Sequence, residues 1–425
     1  MSGFLDIPTH RAAVTGIGAV TPIGNDVTSF WTAALEGRSG TRRPAGFDPS
    51  DLNVQVTAEV RDFDAADVLR ARDRRHLPRA IPLGIAAAGE ALRMAGLLED
   101  GRYRGDGREA AVVIGCGGGG LAFTEKQLGY YYRDEVKKAS VYVIPSSTTG
   151  TISSEISTAF GLHGMSHVLS NGCTSSTDAI GYAMRHIRSG DAQVVLTGGT
   201  DSTITHAILM GFDLMKVMSR RYNDRPERAS RPFDRDRDGF VLGEGAWMLV
   251  LEEMGRARKR GAGILGEVIG YGATCEAYHR VRLQEDGAEP ARAMSLAIQD
   301  ACLHPEAIDH VALHGTATRL NDVVETRAVR RAFGAHADRI PMSALKSMIG
   351  HPQGASGAAG VVATLLAMRD GRVHPTINLE NPDPECDLDY VPRTARDHRI
   401  EAALCNCIGF GSKNAALVLR RWHRR

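Results

Sequence analysis

The sequence predicts an α/β fold with largely parallel sheets. Short apolar runs recur along the chain, and they are rich in Val, Ile and Leu without alternating polar positions. Such runs are typical of strands that are covered on both faces. Stretches with helical periodicity separate them, as at residues 201–212 and 291–303. A regular alternation of strand and helix favours an α/β architecture.

Each predicted strand is an apolar run bounded by small residues or a turn. The predicted strands span residues 11–17, 110–115, 192–199, 246–253, 310–315, 401–410 and 414–421. One helix can be delimited closely, because residues 180–187 carry apolar side chains at the spacing of one buried helix face. The Ser-Gly pair at 189–190 is a stop signal, which predicts that this helix ends there.

Composition excludes several function classes. The chain has 425 residues, enough for two domains or one large duplicated unit. A net charge of +1 gives no sign of a nucleic-acid or anionic-membrane partner. No apolar run reaches the length of a membrane span, and residues 1–11 lack the basic and apolar regions of a signal peptide. We therefore expect a cytoplasmic protein.

The seven cysteines do not suggest a disulfide framework in a chain of this length. Cys405 and Cys407 form a CxC pair, but no second pair follows at a spacing typical of zinc sites. We interpret this pair as small residues of a buried strand.

A faint internal similarity suggests that the chain has two halves. Residues 166–177 (SHVLSNGCTSST) and 401–412 (EAALCNCIGFGS) both read as a strand followed by a turn of small residues. We predict an N-terminal half over 1–265 and a C-terminal half over 266–425. Each half would present one turn to a shared site.

Cys173 is a candidate nucleophile. It lies in NGCTSS, between a predicted strand and the start of a predicted helix. The positive end of a helix dipole favours thiolate over thiol, and a strand–turn–helix elbow exposes a nucleophile beside backbone N–H groups. The alternative is an inert buried cysteine, and the elbow alone leaves the two interpretations about equal.

Two histidines are candidate partners for this sulfur. His314 ends a predicted strand and His351 follows an apolar stretch, and both precede small residues that leave room for a ligand. A lone histidine is more often a hydrogen-bonded core residue than a catalyst. Metal binding by Cys173, His314 and His351 is a third interpretation, although no carboxylate pattern completes a zinc site. Spacing alone leaves these alternatives open.

Several motifs in one order resemble the elongating β-ketoacyl-acyl carrier protein synthases. These are thiolase-like condensing enzymes, and the similarity is greatest to the ketosynthase alpha subunit of type II polyketide synthases. The resemblance covers nearly the whole chain. The motifs are AVTGIGAVTPIGND, the NGCTSS elbow, RPFDRDRDGFVLGEGAWMLVLEE, HGTAT with ND, SALKSMIGH, PTINLENPDPECDLDYVP and CNCIGFGSKN.

The resemblance implies a duplicated five-layer αβαβα fold and a Cys-His-His site. Cys173 would accept an acyl chain as a thioester, and His314 and His351 would assist decarboxylation of a malonyl extender. The N–H groups of Cys173 and Phe410 would form the oxyanion hole, with Phe410 also acting as a gate. The implied substrates are carried on the phosphopantetheine of acyl carrier protein, with no metal and no redox cofactor.

The resemblance also implies supporting residues. Lys346 and Glu325 would share a network at the site, although they could equally form a plain buried ion pair. Thr316 and Thr318 would line the channel for the pantetheine arm. Departures from the family pattern are Ala317 within HGTAT, Ser412 and Lys413 within GFGSKN, and a loop at 278–287 without the usual Ser/Thr-Pro-rich sequence.

Two features favour the polyketide branch. The NGCTSS elbow resembles that branch, and Gly118 stands where fatty acid enzymes often carry a bulky aliphatic residue. A missing side chain there predicts a pocket for long, rigid or unsaturated chains. The expected assembly is a homodimer, or a heterodimer with a chain-length-factor-like subunit. The basic stretches at 71–79 and 220–228 could meet the acidic carrier protein.

Three other functions remain as alternatives. The first is β-ketoacyl-acyl carrier protein synthase II of fatty acid elongation. The second is a non-catalytic scaffold subunit, which would not need an intact Cys-His-His set. The third is a Cys-His thioesterase, which would need no second histidine for decarboxylation.

Overall fold

A computed structural model describes residues 10–423. Residues 1–9, which include most of the segment inspected for a signal peptide, and residues 424–425 lie outside the described residues. The strands are β1 (Ala12–Val20), β2 (Thr57–Ala58), β3 (Leu98–Glu99), β4 (Arg102–Tyr103), β5 (Ala110–Gly115), β6 (Ser166–Leu169), β7 (Val194–Asp201), β8 (Leu242–Gly243), β9 (Gly245–Glu253), β10 (Gly266–Cys275), β11 (His310–Ala312), β12 (Met342–Ser343), β13 (Arg372–Val373), β14 (Arg396–Asp397), β15 (Ala402–Gly409) and β16 (Lys413–Arg421).

Helices account for most of the remaining regular structure. They are α1 (Val27–Leu35), α2 (Ala80–Met94), α3 (Leu121–Tyr132), α4 (Val143–Ser147), α5 (Thr151–Phe160), α6 (Ser175–Ser189), α7 (His206–Leu214), α8 (Met254–Lys259), α9 (Ala288–Asp300), α10 (Arg319–Phe333), α11 (Lys346–Ile349) and α12 (Ser356–Asp370). Helix α6 ends where the sequence predicts, and Gly190 follows it in the left-handed conformation at φ +83°.

The main sheet is built from a repeated unit. Its strand order is β12-β11-β15-β16-β10-β1-β9-β7-β5-β6. Outward from the central β10–β1 contact, each half has two antiparallel pairs and then two parallel pairs. The two halves of the sheet therefore share one topology.

Helices form three layers around the two halves of the sheet. On one outer face α2 packs on β1, β9 and β7, and on the other α9 packs on β10 and β16. Between the halves lie α6 and α12, which contact each other and strands from both halves. The layers therefore run α, β, α, β, α, and this confirms the predicted five-layer fold.

The structure contains every predicted strand, with ends that differ by a few residues. The expectation of largely parallel sheets is only half right, because half of the pairings in each half are antiparallel. Apolar runs indicate burial on both faces, which the helix layers provide, but they carry no information on strand direction. Strand β10 was not predicted because glycine interrupts its apolar run. A side chain at Gly270 would overlap the backbone of Ala297 in α9.

The repeat also places two functional turns in equivalent positions. The segment β6–Cys173–α6 corresponds to β12–His351–α12, because β6 and β12 end the two halves of the sheet and α6 and α12 are the two central helices. The similarity that we noted between residues 166–177 and 401–412 is not this repeat. Strand β15 corresponds to β7, so the predicted pairing of segments was wrong although the duplication is real.

The predicted division at residue 265 lies in the connection between α8 and β10, and that boundary stays a prediction. Within residues 10–423, no helix is both long and apolar enough to cross a membrane. All seven cysteines are free thiols.

Because α2 approaches β1 closely, we predict that one methyl group added at Gly18 strongly lowers the stability of the fold. A Cβ at Gly18 would overlap the carbonyl oxygen of Ala87, whereas Gly46 has no neighbouring atom within 4 Å of its Cβ position. We expect Gly18→Ala to lower the free energy of unfolding by about 3 kcal/mol, because a backbone atom cannot move aside. Urea denaturation measures this, with Gly46→Ala as the control. Equal stability of the two variants would contradict this packing.

Candidate active site

Cys173 lies at the turn between β6 and α6. A short 3-10 helix, Gly172–Thr174, carries it directly into α6. Gly172 has φ +70°, a conformation that glycine adopts without strain. The side chain of Asp178 holds this turn, since it accepts hydrogen bonds from Asn171 Nδ2 at 3.0 Å and Thr174 Oγ1 at 2.9 Å. The predicted strand–cysteine–helix elbow is confirmed.

The structure brings the two candidate histidines to this sulfur. Sγ of Cys173 lies 3.1 Å from Nε2 of His351. The rings of His351 and His314 meet edge to face with centroids 5.4 Å apart. Sγ and one nitrogen of each ring all lie within 4.8 Å of one another, and all three residues are buried. Cys173 therefore forms one group with two histidines that lie more than 130 positions away in the sequence.

Lys346 fixes the hydrogen bonding of His314. Its Nζ donates to the carbonyl oxygen of His314 at 2.6 Å and lies 3.4 Å from Nδ1 of the same residue. Because an ammonium group only donates, Nδ1 is assigned as the acceptor and the ring proton to Nε2. His314 thus has one N–H left for a ligand.

Glu325 positions the backbone of His314 and does not form the ion pair with Lys346 that we considered. Its carboxylate accepts the N–H of His314 at 2.6 Å and that of Gly315 at 2.7 Å. Asn406 Nδ2 also donates to it at 2.6 Å. Burial raises the pKa of Glu325, and these donors oppose that shift.

His351 is held from its other side. Its Nδ1 lies 2.9 Å from Oγ of Ser356, and Phe240 packs edge to face against its ring. Its backbone N–H donates to Val241 at 2.7 Å. The ring therefore directs Nε2 at the sulfur with little freedom to rotate.

Burial sets the protonation state, and it corrects our expectation of a thiolate. Burial raises the pKa of Cys173 to about 11, although the N–H of Phe410 and the charge of Lys346 lower it in part. Burial and, after it, the charge of Lys346 hold the pKa values of both histidines well below their usual range. At neutral pH the group is a neutral thiol beside two neutral imidazoles, because loss of water outweighs the helix dipole.

The two predicted oxyanion donors lie next to this sulfur. The backbone N–H groups of Phe410 and Cys173 both lower the pKa of the Cys173 thiol. An acyl carbonyl attached to Sγ would place its oxygen among these donors. That is the arrangement an oxyanion hole requires.

A cavity of about 430 Å³ reaches Cys173 from the surface. Both histidines, Phe410 and the predicted channel residues Thr316 and Thr318 line it. The two threonine hydroxyls lie 3.1 Å apart. The remaining lining residues are Met215, Val217, Phe240, His279, Val281, Arg282, Leu283, Leu320, Asn321, Ile408 and Gly409.

Gly118 does not line this cavity. Its N–H donates to the buried carboxylate of Asp201, which also accepts from Gly117 and from Gly354 in the turn after His351. A side chain at Gly118 would overlap Thr203. The proposed effect of Gly118 on chain length stays a prediction.

Several residues of the site were missed by sequence reasoning. Ser356, Asn406, Asp178 and Asp201 act through side-chain hydrogen bonds that hold the turns of the site, and no sequence motif marks them. The interpretation of the CxC pair is confirmed, because Cys405 and Cys407 are both buried residues of strand β15. Cys407 also borders the site, with Sγ 3.5 Å from Nδ1 of His314.

The closeness of one sulfur and two imidazoles would also suit a soft metal ion. This group of described residues offers three ligands and no fourth. The metal-free site implied by the family resemblance stays a prediction.

Comparisons with known proteins identify the family. Residues 9–257 match the family "Beta-ketoacyl synthase, N-terminal domain", and residues 265–380 match "Beta-ketoacyl synthase, C-terminal domain". The 3-oxoacyl-[acyl-carrier-protein] synthase 2 of Synechocystis is 40% identical over 98% of this chain and 99% of its own. A putative polyketide beta-ketoacyl synthase 1 of Streptomyces cyaneus is 42% identical over 97% and 98%.

A solved structure extends the similarity to the fold. The ishigamide ketosynthase/chain length factor superposes with a TM-score of 0.89 at 30% identity, covering 98% of this chain and 100% of that one. The relatives match over almost their full length, so the similarity includes every element that carries the site. The chain belongs to the β-ketoacyl synthase family, with a thiolase-like fold, and is a condensing acyltransferase.

Proposed function

We propose that this chain is the chain-elongating ketosynthase of a type II polyketide system. It would condense an acyl group held on Cys173 with malonyl-acyl carrier protein, giving a β-ketoacyl-acyl carrier protein. The observation that carries this proposal is the 3.1 Å contact between Cys173 and His351, with His314 beside it at the base of a cavity. A hydrolase would not need the second imidazole.

The first step is transfer of the acyl group to Cys173. Nε2 of His351 accepts the thiol proton as Sγ attacks the thioester carbonyl, and it returns this proton to the sulfur of the carrier, which leaves as a thiol. The N–H groups of Cys173 and Phe410 stabilise the charge that develops on the carbonyl oxygen. A buried thiol of raised pKa needs this proton transfer, because little thiolate exists beforehand.

The second step uses the imidazoles as donors. Malonyl thioester in the cavity loses CO2, and the electron pair of the broken bond forms an enolate. Nε2–H of His314 donates to its oxygen, and His351 does the same as its Nε2–H tautomer, in which Nδ1 accepts from Oγ of Ser356. Neutral imidazoles do this without carrying charge into a buried site. The carbanion attacks the acyl carbonyl on Sγ, and Cys173 leaves as thiolate and regains a proton from solvent.

The choice between branches rests on the sequence of the elbow and on Gly118. Relatives named as fatty acid and as polyketide synthases are about equally similar, at 40% and 42% identity. Fatty acid elongation is therefore the second candidate function. A substrate of long or unsaturated chains remains part of the polyketide proposal.

Unpaired cations next to the cavity support acyl carrier protein as the substrate carrier. Lys216, Arg221 and Arg319 line a groove beside Thr318 and form no ion pair within the described residues. An acidic carrier and its phosphate would be attracted to this groove. Of the predicted stretch 220–228, Arg221 is one of these cations, whereas Arg220 and Arg228 are paired with Asp213 and Glu380.

An apolar face supports a second subunit. Strand β6 is an edge of the main sheet, and such edges readily pair with another chain. Large apolar side chains on α3, α4 and their connection are also exposed, and exposed apolar side chains of this kind are typical of an interface. They are Leu121, Leu128, Tyr131, Tyr132, Val136, Val141, Tyr142 and Ile144. We propose a homodimer or a heterodimer with a chain-length-factor-like subunit in the cytoplasm.

Two measurements test the proposed function, the intact mass of the protein and the release of CO2. With acyl-acyl carrier protein we expect the intact protein to gain one acyl mass, and with malonyl-acyl carrier protein we expect CO2. Cys173→Ala should abolish the mass gain, while Cys275→Ser, which removes an exposed thiol, should retain it. Hydrolysis of the donor without CO2 release would support the thioesterase, and no reaction would support the scaffold.

The raised pKa of Cys173 predicts a specific pH profile. The thiolate fraction rises about tenfold for each pH unit below the pKa, so alkylation by iodoacetamide should accelerate from pH 7 to 10 without a plateau. A free thiol such as glutathione, measured in parallel, should level off earlier. A plateau below pH 7 would show a thiolate–imidazolium pair and contradict the neutral site.

A further inference from the structure

Ser412 occupies a strained position beside the oxyanion hole. It lies between β15 and β16, two residues after Phe410, with φ +64° and only 3% of its surface exposed. The left-handed conformation is unfavourable for serine and free of strain for glycine. Some interaction must therefore favour serine here.

That interaction is with residues 276–284, which we call the entrance loop. Oγ of Ser412 donates to the carbonyl oxygen of His279 at 2.9 Å and accepts from the N–H of His279 at 3.3 Å. The carbonyl oxygen of Ser412 accepts from Glu276 at 2.8 Å, and Gly411 donates to Arg280 at 3.0 Å. We call residues 410–412 the Phe410 turn. Four hydrogen bonds thus join this turn to the entrance loop, and two of them need the serine hydroxyl.

The entrance loop also forms one wall of the cavity, through His279, Val281, Arg282 and Leu283. The same hydroxyl therefore connects two parts of the site, the Phe410 turn and the wall that the extender would touch. Both Ser412 and this loop depart from the family pattern, and the hydrogen bonds described above join them.

This connection matters for an acyl chain on Cys173. The cavity does not extend to Gly118, and Phe410 lines it while also packing against an apolar cluster that includes Leu209 and Met218. With an extender in the cavity, a long acyl chain would run past Phe410 into this cluster. Such a chain requires the Phe410 turn to shift, whereas an acetyl group does not.

We propose that Ser412 is a positioning residue that holds the Phe410 turn against the entrance loop and so sets how acylation of Cys173 depends on acyl length. This inference rests on the proposed function. Long chains must break the serine hydrogen bonds before they can enter, and short chains need not.

The test compares rates of Cys173 acylation by acetyl and by long-chain acyl-carrier donors, followed by intact mass. Ser412→Ala removes the hydroxyl and keeps the backbone strain, and Ser412→Gly removes both. Loss of two hydrogen bonds should accelerate long-chain acylation roughly tenfold and change acetyl transfer by less than about twofold. Ser295→Ala, which loses a hydroxyl bond to Ala291 in α9, should match the wild type.

Three outcomes would overturn the proposal for Ser412. Unchanged rates of long-chain acylation in both variants would show that the hydroxyl does not hold the Phe410 turn against the entrance loop. Acceleration in Ser412→Gly alone would assign the effect to backbone strain, and an equal change for both donors would assign it to the oxyanion hole. A wild-type protein that gains no acyl mass would instead contradict the proposed function itself. Thermal unfolding of each variant checks that the fold is retained.

Discussion

The contact between Sγ of Cys173 and Nε2 of His351 is the interaction on which the rest of the site depends. It joins the turns that precede the two central helices, so it exists only when both halves are folded and packed. All three residues are buried, and burial keeps the thiol and both rings neutral until a thioester arrives. The hydrogen bonds of Ser356, Lys346 and Glu325 then serve one purpose, which is to hold two imidazoles in position around one sulfur.

Duplication explains how distant residues meet. In each half a parallel strand at the edge of the sheet leads into a turn and then into a central helix, and ligand sites in such sheets form at the carboxyl ends of strands. The N-terminal copy of this turn supplies Cys173 and the C-terminal copy supplies His351. His314 and Phe410 follow the neighbouring strands β11 and β15. The same topology therefore occurs twice, and each copy contributes a different functional side chain to the site.

Much of this could be predicted from local patterns. Buried strands, the helix ending at Gly190 and the elbow at Cys173 follow from residues that are neighbours in the sequence, and the motifs around both histidines resemble one family. What could not be predicted depends on residues far apart. The state of Cys173 is set by burial, which a helix dipole argument cannot include, and Glu325 binds backbone N–H groups that no motif reveals. Strand direction and the β15–β7 equivalence likewise emerge only in the assembled sheet.

The central claim, a neutral imidazole pair beside a neutral thiol, is tested most directly by nitrogen-15 NMR of the histidine-labelled protein. Single substitutions of His314 and His351 would assign their signals among the fifteen histidines. The account predicts that both rings keep the shifts of a neutral imidazole from pH 8 down to pH 5.5, since burial lowers both pKa values. Protonation of either ring near its ordinary pKa of about 6.5 would contradict it.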